Sequence, residues 1–196
     1  MAKFHYREAP TLSQKKAFAP YLSEDEELIL VTGFSSAYLR NKYAMFFLFP
    51  GIIFGGLGFG VIYLFNQNLT TDLIVGLIAM AVVAFLRTLH IYHANRYLLT
   101  TRRVIIKNGI FGVKLTAALY DKITHIEVDQ GFVDRLLLHH GSIIINTAGS
   151  NKDEIVLKSV DYPIELKNLL ERLINREREQ FGVRGGVLTA VEGEII

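Results

Sequence analysis

The chain has 196 residues, with 21 Lys and Arg against 19 Asp and Glu, so its net charge is +2. That excess is too small to point to a nucleic-acid partner. Cysteine is absent, which excludes a disulfide framework, a thiolate zinc site and a thiol nucleophile.

Residues 1–40 are polar and mixed in charge, and read as a cytoplasmic N-terminal arm, flexible over its first twenty residues. Within it "EELILVTGF", residues 26–34, is a candidate strand. The first apolar run begins too late for a cleavable signal sequence.

The next block, residues 43–93, reads as a hairpin of two transmembrane helices. "AMFFLFPGIIFGGLGFGVIYLF", residues 44–65, has no charged side chain. As a helix it would be roughly 33 Å long, the thickness of a bilayer's hydrocarbon layer. A core helix of a soluble protein would carry a polar stripe, and this segment has none. Tyr43 and Tyr63 stand near its ends, at headgroup level. Pro50 either bends this helix or starts it. The second segment spans about 72–92. Its purely apolar part, Leu73–Leu86, is short, but Arg87 can snorkel and Leu89, Ile91 and Tyr92 continue the apolar character. The connection, "NQNLTTD", contains no Lys or Arg, whereas Arg40, Lys42, Arg87, Arg96, Arg102 and Arg103 flank the pair. Basic flanks mark the cytoplasmic side, so both termini are expected in the cytoplasm of a two-pass inner (cytoplasmic) membrane protein. The Asn68-Leu69-Thr70 sequon lies too close to the membrane to be expected as a glycosylation site. Gly51/Gly55 and Gly56/Gly60 have the small-xxx-small spacing that lets helices approach closely in lipid. The expected partner is the second helix, through Gly76, Ala79 and Ala84, with a homodimer contact as the alternative.

From residue 95 the pattern changes to short runs rich in β-branched residues at 96–100, 103–109, 114–120, 122–130, 142–147 and 153–160. Asn108-Gly109 is a turn pair, and 133–138 reads as one helical turn. Residues 161–179 predict an amphipathic helix, with Asp161 as its cap, Pro163 in its first turn and Leu166, Leu169, Leu170 and Leu173 on one face. Even strand spacing followed by one such helix suggests a small barrel closed by the helix, over residues 94–176. Residues 177–196 include a glycine-bearing stretch without a clear period and read as a flexible tail.

The succession of a membrane hairpin, "YLLTTRRVIIKNGIFG", "LYDKITHIEVDQGFVDRLLLHHGSIIINTAG" and "DYPIELKNLLERLI" resembles the bacterial pleckstrin-homology-like (PH-like) membrane proteins. The resemblance covers roughly 94–175 and the hairpin before it. It is carried by Thr100 or Thr101 with Arg103 and Gly109, by Ile123 and Ile126, and by Gly141, Ile143, Ile145 and Thr147. It implies an α+β membrane protein whose PH-like small β-barrel is capped by the C-terminal helix. The family offers no catalytic residue or cofactor to carry over, and its members are associated with interactions or assembly at membranes.

His125, Glu127 and Asp129 alternate on one strand face and could ligate a metal, but a solvated face opposite Ile126 and Val128 explains them fully. His90 and His93 read as an interfacial polar pair, and His139-His140 as a turn. No phosphate loop, nucleophile elbow or kinase signature is present. A non-catalytic interaction or assembly module is therefore expected, with the bilayer, a membrane or cytoplasmic protein, or a second copy as partner. The alternative is recognition of anionic lipid headgroups by the basic cluster Arg96, Arg102, Arg103, Lys107 and Lys114.

Overall fold

The computed structural model describes residues 5–6, 8–66, 68–110, 112–132, 134, 139–148 and 154–192. Helix α1 (Leu12–Phe18) and a 3-10 turn (Ala19–Tyr21) precede strand β1 (Leu28–Gly33). Two long helices follow, α2 (Ser36–Asn66) and α3 (Leu69–Ala94). Then come β2 (Asn95–Thr100), β3 (Arg103–Asn108), β4 (Lys114–Leu119), β5 (Ile123–Asp129), β6 (His140–Thr147), β7 (Ile155–Asp161) and helix α4 (Pro163–Glu192). The expected helical turn at 133–138 falls almost entirely outside the described residues.

The strands form two antiparallel sheets, β1-β2-β3-β4 and β5-β6-β7. The expected closed barrel is therefore corrected to two sheets facing each other. Among the described residues no ladder joins β4 to β5 or β1 to β7. The four leucines expected on the last helix, with Ile174, fill the space over the sheets' inner faces. They meet Tyr97, Leu99, Val104 and Ile106 from one sheet and Ile143, Ile145 and Leu157 from the other. Each fully buried leucine or isoleucine contributes about 1.5–3 kcal/mol.

Strand β1 pairs with β2 (Val31 with Leu98, Gly33 with Arg96), although 61 residues separate Gly33 from Asn95 in the chain. The whole α2–α3 hairpin is thus inserted into the turn between two neighbouring strands. Both helices are longer than the expected 44–65 and 72–92, because each runs on almost directly into its strand. Pro50 lies inside α2 rather than at its start. Hydrogen bonds of Ser35 tie the start of α2, and one of Asn95 the end of α3, at this joint. Ser35 caps α2, its Oγ accepting from the Ala37 N–H at 3.2 Å and donating to Asp161 Oδ1 at 2.6 Å. The Ser35 N–H donates to the Ser159 carbonyl at 2.7 Å. At the other side the Asn95 amide donates to the Ile91 carbonyl at 3.2 Å, relieving one orphan acceptor of α3. The sequence reading makes Asp161 the cap of the last helix. Its carboxylate instead serves the start of α2, because it ends β7 beside the joint.

A bulge in β7 makes that joint possible. Gly141 pairs with Val160 but Ile143 with Leu157, so β7 carries an extra residue, and Ser159 there has φ 49°. The bulge turns Val160 inward and aims the Ser159 carbonyl at Ser35.

The N-terminal segment is more ordered than a free arm. Thr11 and Gln14 form a reciprocal capping box on α1. Phe18, Tyr21 and Leu22 cover the outer face of the first sheet at Leu28, Leu98 and Ile105. Tyr6 donates to the Asp161 carbonyl, and Glu165 accepts from the His5 and Tyr6 backbones. At the far end, α4 continues to Glu192, so residues 177–192 are helical where the glycine-bearing sequence suggested an aperiodic tail.

Candidate functional site: the root of the hairpin

Helices α2 and α3 pack on each other through small residues. The Gly55 backbone touches Gly76, and a Cβ at either position would lie 3.0 Å from the other's carbonyl oxygen. Gly51 faces Met80, and Gly58 faces Ala79. Gly56 and Gly60, expected in the same contact, stand free of it: a Cβ at either would meet nothing within 4 Å. Gly56 and Gly60 lie five residues on from Gly51 and Gly55, about 140° round the helix, so of the two pairs only Gly51/Gly55 turns toward α3. Away from this seam the helices expose apolar side chains: Phe49 and Leu64 are each 78% exposed. By length and composition Ser36–Leu64 (29 residues) and Leu69–Ala94 (26 residues), whose most apolar 18-residue stretches have mean hydropathy 2.1 and 2.3, are long and apolar enough to cross a membrane. Within this chain little of either helix is buried. Asp72, in the first turn of α3, is fully buried, and its carboxylate has no hydrogen-bond partner among the described residues.

The expected basic cluster is divided by strand register. Arg96 pairs with Lys107, and Asn108 with Lys114, at the end of the sheet nearest the hairpin. Arg102 and Arg103 lie at the opposite end. The four residues from Lys107 back to Arg103 span about 13 Å of strand. Arg96 lies over the Tyr92 ring at 4.0 Å, and the Lys107 Nζ donates to the Gly109 carbonyl at 3.0 Å.

Arg103 is built into the fold. Its Nη2 donates to Glu26 Oε2 at 2.7 Å and its Nε to Glu26 Oε1 at 2.9 Å. Thr100 Oγ1 donates to the same carboxylate at 2.6 Å. The Glu26 side chain is 1% exposed. Burial, the largest single influence, raises its pKa, but the bonds from Arg103, Thr100 and the Ser23 backbone together with the Arg103 charge outweigh it and hold the carboxyl below its ordinary range. Arg102 reaches Glu177 at 3.7 Å. Burial likewise raises the Tyr97 hydroxyl to about 12, although it bonds the Lys158 backbone.

Other candidates stay apart. His125, Glu127 and Asp129 are exposed along β5, and among the described residues no three His, Asp or Glu side chains are grouped as a metal site. His139 takes φ 51° and His140 begins β6, buried, so the pair forms a turn entering a strand. His90 and His93 are exposed on the last turns of α3. The sequence did not signal the groove they border with Lys107 and Ile110, because it needs the turn between β3 and β4 to fold back against α3.

Two facing antiparallel sheets with a terminal helix packed over their core define a PH-like α+β domain, here with a long apolar hairpin between its first two strands. The model of the bacterial PH domain family matches residues 46–174, and the chain belongs to that family. The chain is similar to a DUF1696 family protein with a pleckstrin-homology domain from Shewanella loihica PV-4. The identity is 13% and the TM-score 0.43, over 85% of this chain and 99% of that one. It is also similar to a pleckstrin homology domain from Shewanella amazonensis SB2B, at 12% identity and TM-score 0.46, over 87% and 92% of the two chains. No curated protein matches the chain.

Proposed function

We propose that the protein is a two-pass anchor of the cytoplasmic membrane that holds a PH-like, non-catalytic interaction or assembly module against the cytoplasmic face. The observation that carries this reading is the hairpin itself. Its apolar side chains are uncovered everywhere except at the seam, and both helices run into adjacent strands of the sheet. Lys and Arg are absent from residues 43–86 and present on both sides, which favours a cytoplasmic root. The working surface lies at the sheet edges. Tyr97 already occupies the edge of β7 at Lys158, and Ser35 ties the β1–β7 corner. Strands β4 and β5, the latter beyond Ile123, whose carbonyl accepts from Arg178 at 2.9 Å, remain as edges that a strand from a protein partner or a second copy can extend. A groove of about 420 Å³ beside β5, bordered by His125, Lys167, Glu171 and Arg178, gives such a strand's side chains a place.

A second reading, contact with anionic lipid, is favoured by one observation: Arg96, Lys107 and Lys114 gather at the hairpin end of the sheet. Arg102 and Arg103 drop out of it, since they point away from the root and one is tied to Glu26.

The chain's lack of cysteine makes topology directly measurable. A single cysteine at Asn68 should react with an impermeant maleimide in spheroplasts, and one at Lys167 only after permeabilisation. The reverse labelling would overturn the orientation, and release of the protein by alkaline carbonate would overturn the anchor. Cross-linking in native membranes then reports the partner; no cross-link to another protein or another copy would remove the assembly role.

A further inference from the structure

Beside the root of the hairpin, a groove of about 500 Å³ lies between the last turns of α3 and the turn joining β3 to β4. Its lining residues are Leu86, Leu89, His90, His93, Lys107 and Ile110. We propose that this groove seats one anionic phospholipid of the surrounding bilayer, phosphate toward His93 and Lys107 and the start of an acyl chain toward Leu86. The proposal rests on the membrane reading above and names its ligand class and its site.

The order of the lining residues carries it. Leu86, Leu89 with His90, and His93 follow i, i+3, i+4, i+7 spacing and so share one face of α3. From Leu86 to His93 the helix rises about 10 Å, and over that rise the wall changes from aliphatic to imidazole. Lys107 and Ile110 place a cation beside an aliphatic group on the opposite wall. The two walls are fixed to each other, because the Gly109 N–H donates to the Ala94 carbonyl at 2.7 Å. Gly109 has φ 98°, and any side chain there would collide with the Gly112 carbonyl, so this turn conformation requires glycine.

Charge gives the second argument. Residues 73–120 contain no Asp or Glu, but they contain Arg87, Arg96, Arg102, Arg103, Lys107 and Lys114. Arg96 stands directly opposite Lys107 in the ladder, and like charges so placed destabilise a sheet. The antiparallel packing that sets Gly51 beside Met80 also brings Arg40 and Lys42 to the level of the last turns of α3. An anion at this level relieves the repulsion. A bilayer phospholipid supplies the anion together with the apolar chain that the lower part of the groove fits.

The test uses the full-length protein in micelles, titrated with phosphatidylglycerol or phosphatidylcholine and read by native mass spectrometry. One phosphatidylglycerol should be retained in preference to phosphatidylcholine. Lys107→Gln should weaken that retention about fivefold, the effect of one juxtamembrane cation, and Lys107→Arg should restore it. Arg102→Gln, at the other end of the sheet, should leave it unchanged. Equal retention of the two lipids, or an equal loss in Lys107→Gln and Arg102→Gln, overturns the proposal. Carbonate extraction separates the two failures: a protein that resists extraction but shows no lipid preference loses only this groove, and one that is extracted loses the anchor as well.

Discussion

The hairpin and the two-sheet domain are made of the same residue types and use them in opposite ways. In the domain Leu98, Leu99, Ile143 and Leu166 are fully buried. In the hairpin Leu48, Ile52, Leu57 and Leu86 are more than half exposed. The domain satisfies the hydrophobic effect within itself, while the hairpin is satisfied only by an apolar surrounding. Between them lies a short joint tied by the hydrogen bonds of Ser35, Asp161 and Asn95. The two regions should therefore fail for different reasons.

The largest expected effect is on the domain alone. Arg103→Ala leaves the Glu26 carboxylate buried without its cation, at a cost of about 3–5 kcal/mol. Thermal unfolding in micelles, followed by circular dichroism, should show the sheet transition falling while the helical signal of the hairpin persists. The pH dependence has a definite sign. The Glu26 carboxyl is held below its ordinary range in the folded state, so its contribution is fully present above the unfolded carboxylate pKa. It is lost as the pH falls through the lower, folded value. The acid limb of the stability profile should flatten in Arg103→Ala. If hairpin and domain melt as one transition, the two regions are not independent units.

The second test breaks the hairpin alone and compares neighbouring glycines. A side chain at Gly55 would collide with Met80 and press on the Gly76 carbonyl, whereas one at Gly56 meets nothing within 4 Å. Gly55→Leu should destabilise the helix pair by about 1–3 kcal/mol. Gly56→Leu should leave it unchanged, with the domain's core unaffected in both. Protease resistance of the hairpin fragment in reconstituted vesicles distinguishes them. Equal sensitivity would mean that Gly56 also packs, against a second copy.

This contrast shows which features could be read from the sequence. The hairpin was legible because composition alone sets it: 22 residues without a charge need no tertiary information. The strands were legible from β-branched runs, and the helical leucine face from its spacing. What escaped were relationships between distant segments. Nothing local pairs Val31 with Leu98, sends the Asp161 carboxylate to Ser35, or sets Arg96 opposite Lys107 and far from Arg103. The basic residues form one cluster along the chain and two in space, because the chain reverses at Thr101-Arg102 between β2 and β3. The glycines of α2 form one stripe by spacing, yet their contacts depend on which side α3 occupies.

The smallest effect sharpens the comparison between the two ends of the sheet. Arg102 and Arg103 are adjacent in sequence and equivalent there as candidates for lipid contact. Arg103 meets a carboxylate that is 1% exposed, through short bonds; Arg102 meets Glu177 at 3.7 Å and is 44% exposed itself. A partly solvated pair at that separation is worth about 0–1 kcal/mol. Arg102→Ala should therefore shift the sheet transition by no more than that, against the several kcal/mol of Arg103→Ala. Added salt should erase what difference remains, since an exposed pair is screened and a buried one is not. A loss in Arg102→Ala approaching that of its neighbour would mean that Glu177, only 7% exposed as a residue, depends on this arginine as Glu26 does on the other.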